Sequence, residues 1–182
     1  MVVDIGTGTG QAVLRRARRE PRSLVIGVDA EATAMADASR RAAVSVKKGG
    51  LPNALFVAES AERLPGALAG RADLVTVVLP WGSLLRGILA PDTMIVDGLR
   101  GLLCRTGELV LFLSEIDRKQ VDGLVNRLAG LEPAEVREAT ESDVTELSSG
   151  WARRLGIPGS RSAWVIRLQA GPGGESASRS LV

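Results

Sequence analysis

The chain has no histidine and no tyrosine, one cysteine, and only five aromatic residues, three Trp and two Phe, among 182. Each shortage closes off some chemistry. Without histidine the commonest general acid/base is missing. With Cys104 alone, neither a zinc cluster nor an internal disulfide is available. No apolar run approaches the roughly 20 residues that span a bilayer. The opening "MVVDIGTG" shows neither the charged start nor the cleavage site of a secretory signal. The expectation is a cytoplasmic, metal-free protein with no membrane partner. Any reaction it carries must run without a histidine.

What is present is ordinary in amount and uneven in placement. The net charge is only +2, with 45% hydrophobic residues. Residues 11–50 hold nine Lys/Arg against four Asp/Glu, residues 51–146 nine against fifteen, and residues 147–182 five against one. Basic segments near both ends can meet on one face as a polyanion footprint. The plainer reading makes Arg15, Arg16, Arg18, Arg19 and Arg22 the solvated face of one helix.

Apolar runs alternate with longer amphipathic stretches, the pattern of an α/β fold. Strands are expected near 1–5, 24–28, 54–58, 73–79, 108–113, 133–138 and 163–168. Helices are expected near 10–19, 31–46, 84–89, 92–103, 117–129 and 141–148. This predicts a Rossmann-like, doubly wound, mostly parallel sheet of seven strands in one domain over 1–170. Its ligand should lie at the carboxyl ends of the strands. Residues 171–182, Gly- and Ser-rich, read as a flexible tail.

The first strand runs into "DIGTGTG". Gly6, Gly8 and Gly10 permit a tight turn and close approach of a ligand, since no Cβ stands in the way. With Asp4 ahead of them the pattern is D-x-G-x-G-x-G, not the G-x-G-x-x-G that seats a pyrophosphate. That spacing and the lack of His or Tyr argue against a nicotinamide dehydrogenase. A cofactor without phosphate suits the loop, S-adenosylmethionine above all, with Asp4 receiving its ammonium directly or through water. The second strand ends at Asp29, nineteen residues after Gly10. A carboxylate there can accept both ribose hydroxyls, or cap a helix beginning at Ala30. Ala61 and Glu62, after the third strand, suit the adenine end, although Glu62 also reads as a solvated loop acid.

The fourth strand exits through "LPWGSLL", which places Trp81 at a carboxyl end where burial is hard to arrange. Further on, "SSGWARRLGIPGSRSAW" carries Trp151, and from Trp151 to Arg167 there are four arginines and no acid. That composition fits phosphate contacts beside a stacking residue. The plainer reading buries Trp151 in a helix. Trp164 falls inside a predicted strand and is expected in the core.

With "DIGTGTG", "GVDA", "KKGGLPN", "AERLP", "LPWGSLLRG" and "WARRL" in this order, the chain resembles the 16S ribosomal RNA adenine-N1 methyltransferases of aminoglycoside resistance. The likeness runs from about Val2 to Arg167. It implies a class I methyltransferase sheet whose last strand is antiparallel, and a monomer acting on the 30S subunit. It implies that Trp81 and Trp151 clamp a flipped adenine, and that Lys47, Lys48, Arg153, Arg154 and Arg161 contact RNA. It adds Ala30, Leu79, Ser83 and Ser149 to the cofactor set. Two departures stand out. The family carries an N-terminal extension with a hairpin that aids RNA docking, whereas Met1 here already begins the first strand. Weaker docking or an upstream start would each account for that. The stretch between the fifth and sixth strands is also shorter.

The implied chemistry suits the residues available. N1 of adenine attacks with an in-plane lone pair, so no general base is needed. The enzyme must supply position, with an unstacked base held edge-on to the methyl group. Unstacking costs a few kcal/mol, and aromatic stacking returns roughly 1–3 kcal/mol per base. Enzymes that methylate the exocyclic amine usually place Asn or Asp before Pro-Pro and an aromatic. Leu79-Pro80-Trp81 lacks that side-chain acceptor, which favours the ring nitrogen. Two rivals remain at this point: a class I methyltransferase for another RNA or a small molecule, and a non-catalytic RNA-binding or assembly protein.

Overall fold

The computed structural model describes residues 1–146 and 162–171. Seven strands form one sheet: β1 (Val2–Ile5), β2 (Val25–Asp29), β3 (Ala54–Ala58), β4 (Ala72–Val78), β5 (Leu103–Ser114), β6 (Leu131–Glu138) and β7 (Ala163–Ala170). Their order is β3-β2-β1-β4-β5-β7-β6. The first five run parallel, and β7 lies antiparallel between β5 and β6. The helices among the described residues are α1 (Gln11–Arg19), α2 (Ala32–Ala43), α3 (Gly82–Leu89), α4 (Met94–Leu102), α5 (Arg118–Arg127) and α6 (Glu141–Glu146). The expected doubly wound sheet with an antiparallel last strand is therefore what the chain forms.

The central strands are apolar on both faces because helices cover both. All four residues of β1 are buried. Val3 and Ile5 belong to the larger core, which also takes in Leu99 of α4 and Leu124 of α5. Val2 joins Val13, Leu14 and Ala17 of α1 and Ala38 and Ala42 of α2 on the other face. That leaves Arg18, Arg19 and Arg22 in solvent beside a helix that ends just before Pro21. A third cluster, Leu79, Phe112, Val144, Ala163 and Val165, lies under α6. Trp164 is buried in β7, as its sequence position implied.

Two boundaries differ from expectation for physical reasons. Strand β5 begins at Leu103, five residues before the expected 108, because α4 passes into it without a loop. The turn-like "TG" at 106–107 is strand, and Gly107 fits a spot where a Cβ would sit 2.6 Å from the Ala72 carbonyl oxygen. Helix α2 ends at Ala43 rather than 46. Val44 turns extended at ψ 162°, and a short 3₁₀ turn over Val46–Lys48 is closed by Gly49 at φ +85°.

Candidate active site

Strand order reverses at β1, which has β2 on one side and β4 on the other. Register brings Ile5 level with Val28 and with Val77, and Asp29 level with Ala58. The loops leaving β1, β2, β3 and β4 therefore open at one edge, where a doubly wound sheet binds its ligand. They enclose a cleft of about 300 Å³.

The floor is the glycine turn. Gly6, Gly8 and Gly10 all have positive φ, between +55° and +72°, a region that costs other residues roughly 1 kcal/mol or more. Their surroundings separate their roles. A Cβ on Gly10 would meet the Phe56 ring at 2.5 Å and the Ala38 Cβ at 2.8 Å, so that glycine serves helix packing. A Cβ on Gly8 would meet nothing within 4 Å. It would project from the lining of the cleft, and Gly8 is the glycine that keeps ligand space open.

Asp29 ties the floor to the wall. One carboxylate oxygen accepts the Gly8 N–H at 2.7 Å and the other the Glu31 N–H at 2.9 Å. Two of its four acceptor positions remain for a ligand. It is not the helix cap: Glu31 caps α2, taking the Thr33 N–H at 3.2 Å.

Four of the lining side chains are carboxylates, Asp29, Glu31, Glu59 and Glu62, and none is Lys or Arg. The Thr33 hydroxyl holds Glu31 below the usual carboxylate range. The Ser60 N–H, 2.9 Å from its Oε1, does the same for Glu59. An anionic cleft repels a pyrophosphate and suits a ligand with cationic centres and hydroxyl donors. S-adenosylmethionine, with a sulfonium, an ammonium and a ribose diol, fits that test. So does the orphaned buried hydroxyl of Thr7 in the glycine turn.

Asp4 does not line the cleft. It is buried one position below Ile5, and Thr76, its register partner on β4, donates to it at 2.6 Å. Burial pushes its carboxyl up, against the pull of the Thr76 hydroxyl. Leu79 is buried as well, in the third cluster, with the left-handed φ of +47° that β4 uses to turn out of the sheet. Pro80 follows, and then Trp81, the residue before α3, which is 81% exposed at the rim of the cleft. Ala30, Ala61, Glu62 and Ser83 line the same cleft. Lys47 and Lys48 do not: they are exposed on the turn that precedes β3, at the opposite edge of the sheet. Ser149, Trp151, Arg153, Arg154 and Arg161, like the tail after 171, lie outside the described residues.

Glu31, Glu59 and Ser60 were not anticipated from the sequence. The signal for Glu59 was there, since it follows the end of β3 much as Asp29 ends β2.

An acidic cleft over a glycine turn, at the switch point of a sheet completed by an antiparallel strand, is the arrangement of class I S-adenosylmethionine-dependent methyltransferases. Comparison with known proteins narrows this. The family model described as "NpmA: 16S rRNA (adenine(1408)-N(1))-methyltransferase" matches residues 1–122. A curated 16S rRNA (adenine(1408)-N(1))-methyltransferase from Streptoalloteichus hindustanus is 36% identical over 174 residues, covering 85% of this chain and 80% of that protein. A tryptophan-to-alanine variant of the enzyme of that name from Catenulisporales acidiphilia, crystallised with its cosubstrate SAM, superposes with a TM-score of 0.83. It is 33% identical, over 96% of this chain and 87% of that one. The 16S rRNA methyltransferase KamB superposes with a TM-score of 0.81 at 30% identity, over 94% of this chain and 87% of that one. The chain belongs to the 16S rRNA (adenine(1408)-N(1))-methyltransferase family.

Proposed function

We propose that this protein methylates N1 of the decoding-site adenine of 16S rRNA within the 30S subunit, and so protects ribosomes from aminoglycosides such as kanamycin and apramycin. The observation that carries the reading is Trp81, a large ring left 81% exposed at the mouth of the acidic cleft. S-adenosylmethionine, when bound, supplies an electrophilic methyl group on its sulfonium.

The residues of the chain do the rest by holding and excluding. Gly6 and Gly8 let the cofactor approach the backbone, Asp29 accepts ribose hydroxyls, and Ala30, Ala61, Glu62 and Ser83 shape the adenosine end. Asp4 acts from beneath the turn on the ammonium, and Leu79 aims the turn that presents Trp81. Trp81 stacks on one face of the flipped adenine and Trp151 on the other, with Ser149 beside it. Arg153, Arg154, Arg161, Lys47 and Lys48 take RNA phosphates. The ring nitrogen attacks with a lone pair, so the absence of a base from the cleft is no obstacle. Stacking at roughly 1–3 kcal/mol per face offsets the cost of unstacking the adenine.

The test uses purified 30S subunits, labelled S-adenosylmethionine and primer extension. A reverse-transcription stop at the decoding-site adenine is expected, together with raised kanamycin and apramycin tolerance in a susceptible host. An unmodified adenine would refute the assignment.

A further inference from the structure

Helix α6 is only six residues long, too short to be stable alone, yet it is held with unusual redundancy. Arg137 of β6 grips Asp143 with both ends of its guanidinium, at 2.6 and 2.8 Å. Thr140 adds its N–H at 2.6 Å and its hydroxyl at 2.7 Å. All four acceptor positions of the Asp143 carboxylate are filled, and the residue is 2% exposed. Arg137 is steadied in turn by Glu135 at 2.7 Å and the Glu138 carbonyl at 3.0 Å.

The neighbouring residue shows what this clasp holds in place. Val144 packs into the cluster of Leu79, Phe112, Ala163 and Val165. Leu79 is the left-handed residue two before Trp81, and its N–H is pinned to the Phe112 carbonyl at 2.7 Å. Ala163 opens β7 and accepts the Ala139 N–H at 2.8 Å. One small core therefore joins the Trp81 turn to the helix that precedes residues 147–161 and to the strand that follows them. Strained, over-determined backbone of this kind collects where geometry matters to function.

We propose that Arg137 and Asp143 are positioning residues for RNA methylation: their clasp locks α6 onto the Leu79–Phe112 patch and so sets Trp151 against Trp81. The proposal rests on the reading of those two tryptophans as a clamp. It predicts an effect confined to RNA, because neither clasp residue lines the cofactor cleft.

Asp143→Asn keeps the shape of the side chain and removes the charge. Arg137→Lys keeps the charge and removes the fork, and it serves if the first variant unfolds. Both should lose about 10- to 100-fold in kcat/KM for 30S subunits, the scale of an ångström-level misplacement. Calorimetric affinity for S-adenosylmethionine should stay within about twofold of the parent. In a Trp151→Ala background, Asp143→Asn should cost nothing further, because its effect passes through that ring. Unchanged 30S methylation in both variants overturns the proposal. So does a parallel loss of cofactor affinity, or full additivity with Trp151→Ala. Failure of the clamp reading is seen separately, as full 30S methylation by Trp81→Ala and Trp151→Ala themselves.

Discussion

Asp4 shows how a residue's chemistry depends on burial more than on motif. The sequence places an acid before the glycine turn; the fold puts it under the turn, bonded to Thr76 and cut off from solvent. Burial raises its folded-state pKa, so the sign of the pH effect follows directly. The protonated carboxyl is tolerated best, and stability falls as pH rises from the unfolded value near 4 through the higher folded one. Asp4→Asn removes that titration and keeps an acceptor for the Thr76 hydroxyl. The difference in Tm between variant and parent should be smallest at pH 4 and grow toward neutral pH, by about 2–4 °C for each kcal/mol relieved. Cofactor affinity should drop at least about tenfold, since the variant offers no charge to the ammonium. A Tm difference that stays flat from pH 4 to 7 would show that the buried carboxyl carries no penalty. An acid kept at a cost in stability is the mark of a functional position.

At the level of elements, two tryptophans illustrate what position in a strand decides. Trp164 lies inside β7, packed in the core with the Arg118 guanidinium 5.5 Å from its ring centroid. Trp81 lies past the end of β4, in solvent. Trp164→Ala should lower unfolding stability by about 3–5 kcal/mol, while Trp81→Ala should change it by less than about 0.5 kcal/mol and abolish methylation of 30S subunits. Chemical denaturation and the 30S assay separate the two, and substantial unfolding of Trp81→Ala would place that ring in the core instead. Both assignments were legible in the sequence, because strand and strand end are set by local apolar runs and by Pro80 and Gly82. Less legible was whatever depends on contacts between distant segments. Nothing near residue 107 announces that the Ala72 carbonyl will press against Gly107 and turn an apparent loop into strand. The glycines read alike in sequence, and only the neighbours Phe56 and Ala38 separate Gly10 from Gly8. The Arg137–Asp143 clasp, six residues apart, looked like two surface charges until the helix between them was seen to fold back.

The molecule as a whole sets a constraint on its substrate. The cleft opens at the carboxyl edge of the sheet, whereas Lys47 and Lys48 stand on the turn leading into the amino end of β3. The five residues of β3 alone separate these edges by about 17 Å. An RNA that touches both must run along the side of the protein, over the exposed Arg40 and Arg41 near the end of α2. A folded ribosomal surface presents phosphates over such a span, and a short decoding-site hairpin does not. Purified 30S subunits should therefore be methylated far more efficiently than the hairpin, under matched salt. Replacing Lys47 and Lys48 together by Ala should raise KM for 30S subunits and leave the slow hairpin reaction unchanged. The slope of log affinity for 30S against log salt should become shallower by about one for each lysine removed. Cofactor affinity should not move, because neither lysine lines the cleft. Equal losses on both substrates would mean that the two lysines act at the cleft after all. An unchanged salt slope would mean that they meet no phosphate, and that the footprint is confined to the carboxyl edge around Trp81.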